Sequence, residues 1–222
     1  MTAGALTLGV LASGRGSNLQ AILDEIASGR LHAAVSVVVS DVGDAFALER
    51  ARRAGVPAVF VDPHGPGGKD GYERRLAAVL SGHGVALVAL AGYMRICGPA
   101  LLAAFPGRIL NIHPSLLPAF PGLHVQRRAI ENGARFSGCT VHFVDAGVDT
   151  GPIVAQAVVP VLDDDTEETL AARILRQEHR VYPHAIRLFA EGRLRLAGRR
   201  VLVDGTDPLA DTAAIVNPAL PA

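Results

Sequence analysis

The sequence has no surplus of either charge. Lys plus Arg and Asp plus Glu each number 21, so the formal net charge is zero over 222 residues. A general nucleic-acid binder ordinarily carries a basic excess, which puts that class at a disadvantage. Cysteine is scarce: Cys97 and Cys139 are the only two, too few for a disulfide framework and in keeping with a reducing cytosol. Long hydrophobic runs are missing, so no segment is expected to span a membrane. The opening MTAGALTLGVLASGRGSN has no basic stretch ahead of its apolar run, as a secretory leader would. No internal repeat and no interdomain linker interrupt the chain. These absences describe a soluble cytoplasmic protein. Half of the residues are hydrophobic, enough for a core that needs no disulfide or metal staple.

Short apolar segments alternate with segments of helical period. LTLGVLA (6–12), AAVSVVVS (33–40), VPAVFVD (56–62), VALVALAG (85–92) and RILNIH (108–113) read as buried strands. NLQAILDEIASG (18–29), AFALERARRAG (45–55), DGYERRLAAVLSGHG (70–84) and GPALLAAFPG (98–107) read as helices, two of them stopping at Gly29 and Gly55. PHGPGG (63–68) is a loop. This order implies an α/β fold, a three-layer, mostly parallel Rossmann-like sheet flanked by helices. After about residue 125 the rhythm changes. A helix at 125–133 is followed by two strands, 138–147 and 152–161, joined by a short turn and expected to pair antiparallel. A long helix at 166–191 and a terminal hairpin at 194–205 follow. The tail 206–222 has weak periodicity and is expected to be poorly ordered. Residues 1–205 are read as a single domain, with a nucleotide-binding half of about 1–105 and a catalytic half of about 106–205.

The loop ASGRGSNLQ joins the first strand to the first helix. Gly14 and Gly16 permit a tight turn with free N–H groups, which with the helix dipole favour an anion such as phosphate. Ser17 and Asn18 can cap the helix or donate to that anion. Leu19 stands where the dinucleotide fingerprint has its third glycine, and no Gly-Lys-Ser/Thr follows, so neither a standard dinucleotide site nor a triphosphate P-loop is indicated. An ordinary tight turn would use the same residues.

Asn111 and His113 end the fifth strand, where open α/β sheets place their crevices. Residues i and i+2 share a strand face, so both can enter one site. A carboxamide N–H suits a developing oxyanion, and an imidazole suits proton transfer near neutral pH. Alone, each is more often a turn former or a structural residue. Pro114, Pro118 and Pro121 stiffen the loop beyond. The turn DAGVDTGP holds Asp145 and Asp149, either of which could orient His113; either could equally be a turn residue. His142 lies inside a strand and reads first as a core histidine. A metal site from His113, His124 and His142 lacks zinc-type spacing. Ser115 lacks a nucleophile elbow. In the long helix, Asp165 with Glu168 resembles a capping arrangement, Pro183 is expected to kink the axis, and Glu178 falls within the apolar stripe of Leu170, Ile174, Val181, Ala185 and Ile186. A carboxylate there must be paired by an arginine or face a ligand.

Together these residues resemble the phosphoribosylglycinamide formyltransferase family, the folate-dependent transformylases of purine synthesis. The resemblance runs from about residue 6 to about residue 203. It rests on ASGRGSNLQAI, DAFALERA, LAGYMRI, NIHPSLLPAFPGLH, VHFV, DTGP and QEHRVYP, in order. HPSLLP alone is shared with methionyl-tRNA formyltransferase and formyltetrahydrofolate deformylase; the glycine loop with Ser17 and Asn18 points to the glycinamide ribonucleotide branch. The resemblance implies a formyltransferase fold whose antiparallel portion is C-terminal. It implies a catalytic trio of Asn111, His113 and Asp149, which selects Asp149 over Asp145. It also implies a substrate-phosphate loop at Gly16, Ser17 and Asn18, and a ribose contact at Glu178. Folate contacts fall on Lys69, Met94, Arg95, Ile96, Cys97 and Asn111, with His142 and Ser115 as supports. Lys69 stands where the family has an arginine, keeping the charge but not the planar fork. The implied reaction moves the formyl group of 10-formyltetrahydrofolate, the co-substrate, to the amine of glycinamide ribonucleotide, with protonated His113 and Asn111 holding the oxyanion and no metal. The partners are then small molecules, with neither nucleic acid nor membrane, and the protein is a monomer or homodimer. Formyl transfer to methionyl-tRNA would need a basic domain that the tail does not supply. Hydrolysis of formyltetrahydrofolate would leave the phosphate loop without a purpose. A nucleotide-sensing domain would not require Asn111, His113 and Asp149 together.

Overall fold

The computed structural model describes residues 4–205; the tail at 206–222 lies outside them. The apolar runs pair into a nine-stranded sheet of order β3-β2-β1-β4-β5-β6-β7-β9-β8. β1 (Leu6–Leu11), β2 (Ala33–Ser40), β3 (Ala58–Phe60), β4 (Leu87–Leu90) and β5 (Ile109–His113) are mutually parallel. β6 (Phe136–Phe143) turns the sheet antiparallel against β5, and β7 (Ile153–Pro160) pairs antiparallel with β6. The hairpin of β8 (Leu194–Ala197) and β9 (Arg200–Val203) closes the far edge. The expected α/β sheet with a C-terminal antiparallel portion is therefore the observed one.

Strand residues alternate between two cores. Leu8, Val10, Leu110 and Ile112 pack on one side, with Leu19 and Ile22 of α1 (Ser17–Ala27), Leu48 of α2 (Phe46–Arg53), Ala129 of α5 (Val125–Glu131) and Ile174 of α6 (Glu167–Ala190). Leu11, Val37, Val39 and Ile109 pack on the other, with Leu76 and Leu80 of α3 (Gly68–Gly82) and Leu101 of α4 (Pro99–Ala104). Asn111 and His113 follow Ile109 at period two and share its face. β1 lies between β2 and β4, so the chain leaves the sheet in opposite directions there. This is the switch point at which α/β sheets open a crevice.

One expectation about α6 is corrected. Its N-cap is Thr166, whose side chain accepts from the Thr169 N–H in a reciprocal capping box with Thr169. Asp165 instead accepts from the Thr169 hydroxyl at 2.7 Å and pairs with Arg173 at 2.6 Å, a bond that holds its carboxyl well below the usual range. The helix also runs through Pro183 as one element of 24 residues.

Tyr182 anchors α6 beneath the crevice. It is fully buried, and its hydroxyl lies 3.0 Å from the Leu90 carbonyl and 2.9 Å from that of Leu110. Tyr182→Phe leaves two buried carbonyls, one at the end of β4 and one near the start of β5, without this donor. Thermal or denaturant unfolding should show a loss of about 1–3 kcal/mol; a variant as stable as the parent would mean that other donors reach those carbonyls.

Candidate active site

Four loops leave the carboxyl ends of β1, β2, β4 and β5. After β1, Gly16 takes φ 68° as the N-cap of α1, and no side chain caps that helix. Of the two roles open to Ser17 and Asn18, capping is thus not the one taken: the first-turn N–H groups stay free of side-chain acceptors. A Cβ on Gly16 would lie 2.8 Å from the Ala47 Cα, so α2 packs against the turn where only glycine fits. The Ala47 N–H donates to the Gly14 carbonyl, and Arg50 Nε donates to that of Arg15. Asn18 is buried, and its Nδ2 donates to Glu178 Oε2 at 2.7 Å. The partner of the stripe carboxylate is thus Asn18 and not an arginine. Burial raises the Glu178 carboxyl's pKa against the opposing pull of Asn18.

At the end of β5, Asn111, His113, His142 and Asp149 line one cleft of about 430 Å³. His142 faces Asn111 across the β5–β6 ladder. Its Nδ1 lies 2.8 Å from the Phe143 carbonyl, and its Nε2 lies 3.1 Å from Asn111 Nδ2. A carbonyl only accepts, so Nδ1 carries the hydrogen there and Nε2 accepts from the carboxamide. His142 is buried, as the core reading expected, yet it also orients Asn111 and leaves one carboxamide N–H unclaimed by it.

His113 Nε2 lies 3.1 Å from the Phe120 carbonyl and must donate to it. Its Nδ1 faces Asp149 Oδ2 at 3.4 Å. Burial lowers the ring's pKa, and this outweighs the opposing pulls of the Phe120 carbonyl and the Asp149 charge. Burial thus works against the protonated ring that the resemblance implied. Burial also disfavours the Asp149 charge, but His142, the Gly122 N–H at 2.9 Å and His113 together hold the carboxyl below its ordinary pKa. Asp149 Oδ1 lies 3.7 Å from His142 Nε2, too far for a hydrogen bond.

The geometry separates the two aspartates. Asp145 Oδ1 accepts from the Gly147 N–H and the Thr150 hydroxyl, closing its own turn, while Asp149 reaches the imidazole. Ser115 donates to the carbonyls of Ala119 and Phe120, so it braces the proline loop. Thr140 and Gln156 tie that loop down through Leu117. Phe120, His124 and Asp149 all take positive φ, at 53°, 55° and 55°. Strain of this kind survives only where the surroundings enforce it.

The wall opposite comes from the segment after β4. Met94 and Ile96 are exposed at 65% and 57%, as is Leu123 across the cleft at 68%. An apolar rim of this kind suits a flat aromatic ligand. Residues 93–97 also line a second cavity of about 650 Å³ that includes Lys69. Lys69 Nζ lies 4.0 Å from Glu73 Oε1, and burial raises the Cys97 thiol to about 12. Among the described residues no group of three or more His, Cys, Asp or Glu could hold a metal ion, and no helix is long and apolar enough to cross a membrane.

Sequence reasoning missed the Phe120 carbonyl, the Gly122 N–H, and the Ser13–Asp41 pair behind Arg95. Backbone groups leave no compositional trace, and contacts between distant loops have no spacing to detect.

Comparison with known proteins agrees with this geometry. The formyl transferase family matches residues 7–186. The phosphoribosylglycinamide formyltransferase of Escherichia coli (strain K12) is 44% identical over 196 residues, 88% of this chain and 92% of that protein. Glycinamide ribonucleotide transformylase 1 from Symbiobacterium toebii superimposes with a TM-score of 0.89 at 59% identity, covering 90% of this chain and 94% of that one. A formyltetrahydrofolate deformylase from Pseudomonas syringae pv. tomato superimposes with a TM-score of 0.84 at 26% identity, over 90% of this chain and 66% of that one, so the fold alone does not separate transfer from hydrolysis. Likeness across nearly the whole length does: the chain belongs to the formyl transferase family, and within it to the phosphoribosylglycinamide formyltransferases.

Proposed function

We propose that the chain, acting in the cytoplasm as a monomer or homodimer, transfers the formyl group of 10-formyltetrahydrofolate to the amine of 5′-phosphoribosylglycinamide. The products are formylglycinamide ribonucleotide and tetrahydrofolate, in purine synthesis. The observation that carries this reading is the meeting of Asn111, His113 and Asp149 in one cleft. Residues 1–205 act as one unit, its halves meeting at the crevice. The free N–H groups at Gly16, Ser17 and Asn18 take the substrate phosphate, favoured by the helix dipole. Glu178, fixed by Asn18, accepts from the ribose hydroxyls. The folate lies against Met94, Ile96 and Cys97, with Asn111 at its reactive end and the cations Arg95 and Lys69 at its anionic end.

The amine nitrogen adds to the formyl carbon, and the carbonyl oxygen becomes an oxyanion. The Asn111 N–H that His142 does not use donates to it. The added nitrogen sheds a proton to the lone pair of His113 Nδ1. The imidazolium so formed faces the Asp149 carboxylate, which turns a 3.4 Å contact into an ion pair. The proton then passes to the folate N10, the carbon–N10 bond breaks, and tetrahydrofolate leaves. No covalent enzyme intermediate is required; Ser115, engaged by backbone carbonyls, stays out of the chemistry.

The test is transfer between 10-formyltetrahydrofolate and glycinamide ribonucleotide, with free formate followed in parallel. Formylated ribonucleotide should accumulate, and formate release without the ribonucleotide should be negligible. Equal formate release with and without it would identify a hydrolase. Asn111→Ala should lower kcat by about 10²–10³ if its N–H is the main oxyanion donor.

A further inference from the structure

One buried carboxylate joins two segments that are far apart in the chain. Asp41 follows the end of β2 and is 9% exposed. Its Oδ1 accepts from the Ser13 hydroxyl at 2.6 Å, and its Oδ2 accepts from Arg95 Nε at 2.8 Å. Ser13 opens the glycine loop, three residues ahead of Gly16. Its Oγ also accepts from the Met94 N–H at 2.9 Å, and its own N–H donates to the Gly92 carbonyl at 3.0 Å. Loop, carboxylate and folate-side segment thus form a closed circuit of hydrogen bonds.

The circuit fixes the direction of Arg95. That side chain is 40% exposed, and its guanidinium lies 5.5 Å from the Tyr72 ring centroid. Held at Nε by Asp41, the terminal N–H groups are left for the two cavities that Arg95 lines. A buried ion pair is weak evidence for stability, because an apolar residue of similar volume can serve the fold as well. A carboxylate that uses one oxygen on each binding segment does something an apolar residue cannot: it sets their relative position.

We propose that Asp41 is a positioning residue that couples the two substrate sites, so that each substrate binds more tightly once the other is in place. The proposal rests on the formyl-transfer reading for the identity of the two ligands. A phosphate on the loop restrains Ser13, Ser13 restrains Asp41, and Asp41 holds Arg95 where the folate's anionic end arrives. The ordering needed for the second ligand is then largely complete when it binds. Because coupling is reciprocal, the folate must tighten ribonucleotide binding by the same factor.

Tetrahydrofolate and glycinamide ribonucleotide carry no formyl group between them, so they form an unreactive ternary complex suited to measurement. The quantity to read is the Kd of tetrahydrofolate without, divided by that with, saturating ribonucleotide. In the parent protein this ratio should be about fivefold or more, the lower end of usual coupling. In Asp41→Ala it should fall to near one, with weaker folate binding. Asp41→Asn keeps one acceptor oxygen but loses the charge and must give up one of the two bonds, so its ratio should lie between. Ser13→Ala cuts the circuit elsewhere and should also lower the ratio; it and Asp41→Asn decide the matter if the alanine variant does not fold. Asp165→Ala, which breaks the pair with Arg173 at the start of α6, should keep the parent ratio, which separates positioning from general loosening. A parent ratio of one, or a parent ratio retained in every Asp41 and Ser13 variant that folds, overturns the coupling while leaving formyl transfer intact. Failure of the parent to bind either ligand overturns the formyl-transfer reading and the coupling with it.

Discussion

His113→Ala is expected to lower kcat by about 10²–10⁴, the range for loss of a positioned proton-transfer group. The Kd of each substrate should stay within a few-fold of the parent. The imidazole does two things at once: Nε2–H donates to the Phe120 carbonyl, and Nδ1 faces Asp149. Removing it leaves a small polar space that water can fill beside the carbonyl and the carboxylate, so the cleft should persist. The phosphate loop and the 94–97 wall are untouched, which is why binding and turnover should separate. The pH profile of kcat/KM gives an independent readout. Burial makes His113 harder to protonate than an ordinary histidine. In the proposed mechanism the neutral ring is the active form, so activity should be full at neutral pH and fall only as pH drops through a value below the usual 6.5. Asp149 favours the charged ring, whereas His142 and Arg128 disfavour it. Unchanged kcat in purified, folded His113→Ala would remove the ring from the chemistry. A basic limb, with activity falling as pH rises through the ring's pKa, would mean that the protonated ring is the working form.

The parts of this molecule that were legible in the sequence obey a period. Alternation along RILNIH put Asn111 and His113 on one face, and the structure places both in the cleft. Glu178 stood out because a carboxylate interrupted an apolar helical stripe, and it is buried against Asn18. The long helix was visible, but its cap was read one residue early. Thr166 and Thr169 reproduce the i, i+3 reciprocity with two hydroxyls, whereas the signature sought has an acid at the later position. The choice between Asp145 and Asp149 was closed to residue reasoning, since both lie in one turn. It depends on Asp145 being used up by Gly147 and Thr150. Asp41 was invisible for a related reason: its partners come from the ends of β1 and β4, and only the sheet order brings them together. The lowered pKa of His113 comes first from its burial, which no local pattern carries.

Asp149→Asn should be as damaging as loss of the imidazole, although the change in shape is minimal. Asparagine tolerates positive φ at least as well as aspartate, so the backbone at φ 55° should hold and the thermal midpoint should move little. The carboxamide oxygen can keep the Gly122 N–H bond that Asp149 Oδ2 accepts at 2.9 Å. The amide nitrogen then takes the place of Oδ1, which faces His142 Nε2 at 3.7 Å, and the oxygen facing His113 Nδ1 carries no charge. The imidazolium would lose its counter-charge. That raises the barrier, and a fall in kcat of about 10²–10⁴ is expected with little change in substrate affinity. The pH dependence supplies the sign. The Asp149 charge favours the protonated form of His113, so its removal lowers the ring's pKa further. Whatever activity remains should show its acid limb at a lower pH than the parent. A variant that turns over within threefold of the parent, or whose acid limb moves upward, would show that Asp149 neither supports the imidazolium nor shapes proton transfer here.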